Sequence, residues 1–208
     1  MSERTAVITG GTAGIGKAVA FSFLRAGYRV AVCGRSEDKL SSVRREAEQA
    51  GFSLFTYRAD VTEIASLRAF SEAVTDCLGG IDVWVNNAGI TLPRKFFYEY
   101  TPAEFDAVVA GNMKSVFFGS AIASEAMRSR GGVILQTSSF TADTPTCGAA
   151  LYGATKAAVE NLTRTMAAEL APLHIRVLAV QPAYVLHRPR DHPLHLPRHQ
   201  KASRDRCQ

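Results

Sequence analysis

An α/β domain built on a doubly wound parallel sheet of about six strands, with helices on both faces, is the fold class this sequence predicts. Three observations predict it. Short β-rich runs alternate with longer helical stretches up to about residue 180, with little chain between them. Nearly all the strand runs are apolar on both faces, as buried parallel strands must be. A glycine cluster also sits at the first turn from strand into helix.

The elements follow in chain order. Strands are expected at Ala6 to Thr9, Arg29 to Cys33, Ser53 to Arg58, Ile81 to Val85, Val133 to Thr137 and Ile175 to Val180, each a short run rich in Val, Ile or aromatics. Helices fill the gaps at roughly 14–26, 37–50, 63–78, 102–128 and 150–171. In the last, Val159, Leu162, Met166 and Leu170 recur at helical spacing and form one apolar stripe that stops near Pro172.

The chain has 208 residues, 47% hydrophobic and 21% charged, enough apolar material for one compact domain. That composition excludes a disordered chain, a collagen-like repeat and a disulfide-stapled miniprotein. No apolar run reaches the roughly 18 residues of a membrane crossing, and the stretch after Met1-Ser2-Glu3-Arg4 is too short for a signal peptide. Cys33, Cys77, Cys147 and Cys207 lie far apart with no Cys-x-x-Cys pair, so reduced thiols are expected, the first three as buried small hydrophobes. A soluble, cytoplasmic protein with no membrane partner is the expectation.

The net charge of +5 is unevenly placed: residues 1–185 carry a net of +1 and residues 186–208 a net of +4. A nearly neutral body excludes a phosphate-backbone binder, and no nucleic-acid partner is expected. The tail holds three of the eight prolines, four of the five histidines and no Gly, Val, Ile or aromatic residue, so it cannot build a core element and is expected to be disordered. His187, His192, His195 and His199 would be poorly preorganised ligands there, and no metal site is expected.

Directly after the first strand the chain reads Thr9-Gly10-Gly11-Thr12-Ala13-Gly14-Ile15-Gly16-Lys17. Glycines at 10, 14 and 16 let a pyrophosphate reach backbone amides and the positive helix start, where side chains would block it. The spacing is Gly-xxx-Gly-x-Gly, and no Gly-Lys-Ser/Thr follows, so this is not a P-loop. At the end of the second strand stands Cys33-Gly34-Arg35-Ser36, without the acid that would accept from a ribose 2′-hydroxyl. Arg35 can instead grip a 2′-phosphate with Ser36 as a second donor, which selects NADP(H) over NAD(H); otherwise it is a solvated surface arginine. One charge-assisted hydrogen bond of that kind is worth roughly 1.5–3 kcal/mol, or about 10- to 150-fold in affinity.

Three further segments belong together: Asn86-Asn87-Ala88-Gly89 after the fourth strand, Ser138-Ser139 after the fifth, and Tyr152-Gly153-Ala154-Thr155-Lys156 entering a helix. Tyr152 and Lys156 stand four apart and share a helix face. An ammonium about 5 Å from a phenol, at an effective dielectric near 20, favours the phenolate by roughly 3 kcal/mol, which would bring the tyrosine from about 10 toward the working pH of a general acid. Taken singly, the tyrosine, the serines and Asn112 are also ordinary helix, turn and cap residues.

In the order and spacing of Thr-Gly-xxx-Gly-Ile-Gly, Asn-Asn-Ala-Gly, Ser and Tyr-xxx-Lys, residues 4–185 resemble the short-chain dehydrogenase/reductase family, in its single-domain form, with the 3-oxoacyl-carrier-protein reductase branch the nearest likeness. The resemblance implies a Rossmann-type dinucleotide-binding domain over 1–185. It further implies an oxidoreductase that transfers a hydride between nicotinamide and a small or acyl-linked carbonyl substrate, with Tyr152 giving the proton. Ser139 would bond the substrate oxygen, Lys156 the nicotinamide ribose, and Asn112 would complete a proton relay. Gly10, Thr12, Gly14, Ile15, Gly16 and Val61 would line the cofactor. Asn86 with Ala88 and Gly89 would line its adenosine side and the strand edge, and Pro182 would follow in the loop after the sixth strand. Asp60 would accept from the adenine amino group, or else cap the helix starting near Glu63. Homo-oligomers would form through the helices near 112–128 and 150–171.

The pattern then breaks. Gln181-Pro182-Ala183-Tyr184-Val185-Leu186-His187 has Ala183 for the family's glycine and His187 for its threonine, and the substrate lid and seventh strand give way to the atypical tail. The reading is a shifted frame or an alternative terminal exon from about residue 186. An exposed sheet edge and an open pocket are expected to follow, with a catalytically impaired nucleotide-binding remnant as the alternative function.

Overall fold

The computed structural model describes residues 4–185. The tail 186–208, with its four histidines, Cys207 and the expectations attached to them, lies outside the described residues. Six parallel strands form one sheet: β1 (Thr5–Thr9), β2 (Arg29–Gly34), β3 (Leu54–Arg58), β4 (Val83–Asn86), β5 (Gly132–Thr137) and β6 (Ile175–Val180). Their order is β3-β2-β1-β4-β5-β6. The helices are α1 (Gly14–Arg25), α2 (Glu37–Gln49), α3 (Ile64–Leu78), α4 (Pro102–Val109), α5 (Ser115–Met127) and α6 (Ala150–Leu170). The predicted fold class is therefore the observed one.

Alternation along the strands builds two cores. On one face Ala6, Ile8, Val30, Val32 and Val85 pack with Leu24 of α1 and Leu40, Val43 and Ala47 of α2. On the other, Val7, Ala31, Trp84, Ile134 and Val177 pack with Leu67, Phe70 and Val74 of α3, Ile122, Ala123 and Met127 of α5 and Met166 of α6. The chain reverses its direction of winding between β1 and β4, which pair directly, Ile8 beside Val85. The crevice at that switch point opens at the carboxyl ends of both strands.

Three expectations are corrected. The single helix over 102–128 is three pieces, because a π-helical segment, Ala110–Lys114, separates α4 from α5. Here the side chain of buried Asn112 bonds the backbone of Ile90, with Ile90 N donating to Oδ1 at 2.7 Å and Nδ2 donating to Ile90 O at 2.9 Å, which ties this turn to the loop after β4. Cys33 is buried as expected, but Cys77 is exposed. Cys147, expected reduced, is only partly buried and is not a free thiol.

Among the described residues β6 is an edge strand. Its side chains alternate buried and exposed, with Leu178 50% and Val180 43% exposed on one face, and Tyr184 and Val185 beyond it exposed as well. The opposite face, with Ile175 and Val177, is covered.

Candidate active site

The turns after β1 and β4 are knitted together by short polar side chains. Thr9 Oγ1 accepts from the amides of Asn87 and Ala88, both at 3.0 Å, and donates to Val85 O. Asn87 Nδ2 donates to Thr9 O at 2.9 Å and to Gly10 O at 3.3 Å. Gly10 adopts φ +66°, a left-handed conformation that glycine adopts without penalty. A Cβ at Gly16 would stand 2.4 Å from both Asn87 Nδ2 and Gly10 O, so this approach tolerates no side chain.

A crevice of about 870 Å3 opens over these turns. Its walls include Gly10, Thr12, Gly14, Ile15 and Gly16 from the first turn, Arg35 and Ser36 after β2, Asp60 and Val61 after β3, and Ala88 and Gly89 after β4. Ala13, the residue before α1, gives the helix no side-chain cap, so the first-turn amides are not closed off by it. A glycine cradle that a Cβ would fill, at a helix start, fits a dinucleotide's pyrophosphate.

The two side chains offered for the adenosine ribose differ in role. Arg35 is exposed in the crevice wall, whereas Ser36 Oγ accepts from Lys39 N at 3.4 Å and caps α2. Asp60 does not cap α3, whose cap position is Glu63. Its Oδ1 accepts instead from Thr62 N at 2.9 Å and from Thr62 Oγ1 at 2.8 Å. Burial acts to raise its pKa, but these bonds and the nearby Arg35 charge outweigh it and hold the carboxyl below its ordinary value.

The side chain of Asn86 does not line the crevice wall. It is buried under the sheet end, where Oδ1 accepts from Trp84 Nε1 at 2.8 Å and Nδ2 donates to Ser120 Oγ at 3.0 Å and Gln136 Oε1 at 2.9 Å. Asn87, the second residue of the same motif, lines the crevice. Pro182 O accepts from Phe140 N at 3.3 Å and, with Val185, Pro182 lines a cavity of about 1300 Å3 whose wall also includes Gly14 and Ile15 of the first turn. None of Ser139, Tyr152 or Lys156 borders that cavity.

The Ser139, Tyr152, Lys156 and Asn112 group converges at the other end of the crevice. Lys156 is 3% exposed; its Nζ donates to Thr137 O at 2.7 Å and stands 5.6 Å from the centre of the Tyr152 ring. Burial lowers its pKa to about 8, so it is charged at neutral pH. Ser139 Oγ accepts from Thr141 N at 3.3 Å and Thr141 Oγ1 at 3.0 Å, at the start of a short 3-10 turn, Phe140–Ala142. A Cβ at Gly89 would lie 3.0 Å from Asn112 Oδ1 and 3.8 Å from Lys156 Nζ, which brings the crevice wall into contact with this group. Asn112 Nδ2 also donates to Thr155 Oγ1 at 3.3 Å. Both ends of the Asn112 amide are thus engaged in holding Ile90 and α6 in place.

The expectation that Lys156 depresses the resting Tyr152 pKa is overturned. Burial of the half-buried phenol raises it, opposed by a hydrogen bond with Ser139. The ammonium is held at the Thr137 carbonyl and over the ring rather than at the phenol oxygen. Sequence reasoning also missed the clamps Thr9 and Asn87 and the partners Thr141 and Thr155. Of these, Thr9, Asn87 and Thr155 stood within the recognised motifs, and only Thr141 lay outside them.

Among the described residues no cluster of three metal-ligating side chains exists and no helix is long and apolar enough to cross a membrane. A parallel sheet with a glycine turn at its switch point and a Ser/Tyr/Lys group beside it defines a nucleotide-dependent oxidoreductase class. The chain belongs to the short chain dehydrogenase family, whose pattern matches residues 4–191. It is 35% identical to the 7alpha-hydroxysteroid dehydrogenase of Escherichia coli (strain K12) over 89% of this chain and 72% of that one. It is 36% identical to the 3-oxoacyl-[acyl-carrier-protein] reductase of Staphylococcus aureus (strain Mu50) over 88% and 75%. A short-chain type dehydrogenase/reductase from Mycobacterium marinum superposes with a TM-score of 0.83 at 38% identity, covering 88% of this chain and 75% of that one. A short chain dehydrogenase from Mycobacterium smegmatis does so with a TM-score of 0.84 at 27% identity, covering 88% and 77%.

Proposed function

We propose that this chain is an NADP(H)-dependent oxidoreductase that transfers a hydride between nicotinamide and a carbonyl or hydroxyl substrate, with Tyr152 as general acid/base. One observation carries the reading: a phenol, a hydroxyl and a buried ammonium converge where the glycine-turn crevice meets a small cavity lined by Ser139 and Tyr152. Arg35 at the crevice wall, with no acid at the end of β2, supports the preference for NADP(H). A nicotinamide coenzyme held over the Gly10, Gly14 and Gly16 turn would supply the hydride.

The chain's own residues do the rest. The hydroxyl of Ser139 accepts from Thr141 and hydrogen-bonds Tyr152, which places it beside the phenol where the substrate oxygen would bind. Tyr152, protonated at neutral pH because burial raises its pKa, transfers its proton to that oxygen. The Lys156 ammonium, 5.6 Å from the centre of the Tyr152 ring, is the nearest positive charge to the phenolate that proton transfer leaves behind. Asn112 holds the Ile90 loop and α6 in register around the reacting centre.

The substrate is a small or acyl-linked carbonyl compound, and the working location is the cytoplasm. Exposed Phe105, Met113 and Phe117 on α4, the π segment and α5 support self-association through the helices over 112–128 and 150–171. A second reading, a nucleotide-binding chain with impaired catalysis, is favoured by the exposed Leu178 and Val180 face of β6. NADPH fluorescence titration combined with turnover of a generic diketone separates the two. Binding with turnover is expected; binding without turnover selects the second reading, and no binding sinks both.

A further inference from the structure

The cavity beside Tyr152 has one wall that proton transfer leaves unused. It measures about 260 Å3, with Leu92, Tyr100, Val108 and Phe140 among its apolar sides and Arg94 as its one charged lining residue. That volume is at or below the low end of the roughly 300–1,000 Å3 of drug-sized ligand sites, so a small substrate fits it.

Arg94 is fixed to the same loop that carries Ser139. The next residue's amide, Lys95 N, donates to Gly148 O at 3.2 Å. A side chain at Gly148 would begin 3.0 Å from Arg94 Cβ, and Gly148 has φ +75°, so glycine is needed there for both backbone and space. Other charges nearby are already matched: Lys95 pairs with Glu104, which also accepts from Thr101 N and Thr101 Oγ1. Among the described residues Arg94 forms no ion pair, and no carboxylate lines the cavity. Arg94 is exposed to solvent at the wall of this cavity, and a guanidinium there with no protein ion pair matches the planar two-oxygen geometry of a carboxylate.

Resting on the redox reading above, we propose that Arg94 is a specificity-determining residue that binds the carboxylate of a small oxo acid. The acid's apolar body lies against Leu92, Tyr100, Val108 and Phe140, and its ketone reaches Ser139 and Tyr152. In the reaction the ketone carbon gains the hydride and its oxygen gains the Tyr152 proton, giving the hydroxy acid, while the carboxylate is unchanged.

The test compares 5-oxohexanoate with its methyl ester, in wild type and Arg94→Gln. The expected result is an acid-to-ester ratio of kcat/KM that falls about 10- to 150-fold in the variant, while the ester's own value stays within about twofold. A ratio that does not change overturns the proposal. Calorimetric titration of 5-oxohexanoate into the NADPH-loaded protein gives a readout without turnover. A Kd raised about tenfold or more by Arg94→Gln supports the subsite, and equal Kd values overturn it. If neither acid nor ester turns over while that Kd difference persists, the redox reading fails and the carboxylate subsite stands.

Discussion

The two ends of the sheet's carboxyl edge are built differently. Over β1, β2 and β4 the crevice rests on glycines without Cβ atoms and on three clamps, buried Thr9 and Asn86 and partly buried Asn87, each making two or more hydrogen bonds. Over β5 and β6 the reacting group is equally well held, with Lys156 at the Thr137 carbonyl, but the next strand along has one face in solvent. The nucleotide end is defined by backbone and closed by its own polar network, whereas the substrate end is defined by side chains beside an uncovered edge. The two ends rest on different elements, so the proposed cofactor binding and the proposed catalysis should be separable by mutation. That contrast would break if a change confined to one end moved the other.

The largest effect is expected at the substrate end. Tyr152→Phe removes the proton donor and should lower turnover by about 10²- to 10⁴-fold while NADPH affinity, read by fluorescence titration, stays within about twofold. A parallel loss of affinity would show that the two ends are one unit. In the wild type, the rate of carbonyl reduction should fall as pH rises through about 8, because the Lys156 pKa is lowered to about 8 by burial and its charge is lost above it. A rate flat from pH 7 to 9.5 would remove Lys156 as the charge that supports the phenolate.

A smaller effect, at the nucleotide end, sharpens the same contrast. Arg35→Asp replaces an exposed cation in the crevice wall with an acid suited to a ribose hydroxyl, and should move the NADPH-to-NADH preference by about 10- to 150-fold toward NADH. The maximal rate with saturating cofactor should be nearly unchanged. An unmoved preference ratio would free Arg35 from any 2′-phosphate role.

How much of this was legible in the sequence follows from what each signal encodes. Strand and helix positions were readable because buried parallel strands are continuous apolar runs; Ile8, Val32 and Trp84 leave no other reading. The π segment was not, because Gly111 and Asn112 interrupt no periodicity and the cause is a tertiary bond to Ile90. The motif Asn86-Asn87 was visible, yet which asparagine faces the crevice depends on strand alternation at its last residue, and Asn86 turns into the Trp84, Ser120 and Gln136 network. The Tyr152 pKa was misjudged because residue spacing measures the distance to a charge but not the burial of the phenol. Arg94 carried no signal, since a lone loop arginine acquires meaning only from the cavity that forms around it.

Ser36 gives the smallest expected effect and the finest cut between holding and touching. It stands in the crevice wall, where a 2′-phosphate donor is wanted, and its oxygen already accepts from Lys39 N as the cap of α2. A hydroxyl that accepts one bond keeps its proton for another, so both roles are compatible. Ser36→Ala should cost about 1 kcal/mol of stability through the lost cap, a fall of roughly 2–4 °C in Tm for a domain of this size. If Ser36 only caps, NADPH and NADH affinities should drop together and by less than about twofold. If it also donates, NADPH alone should weaken, by less than the change that Arg35→Asp brings, since a neutral hydroxyl makes a weaker bond to phosphate than a guanidinium does. An NADPH-specific loss equal to that of Arg35→Asp would mean that the helix cap, and not the arginine, governs cofactor choice at this end of the sheet.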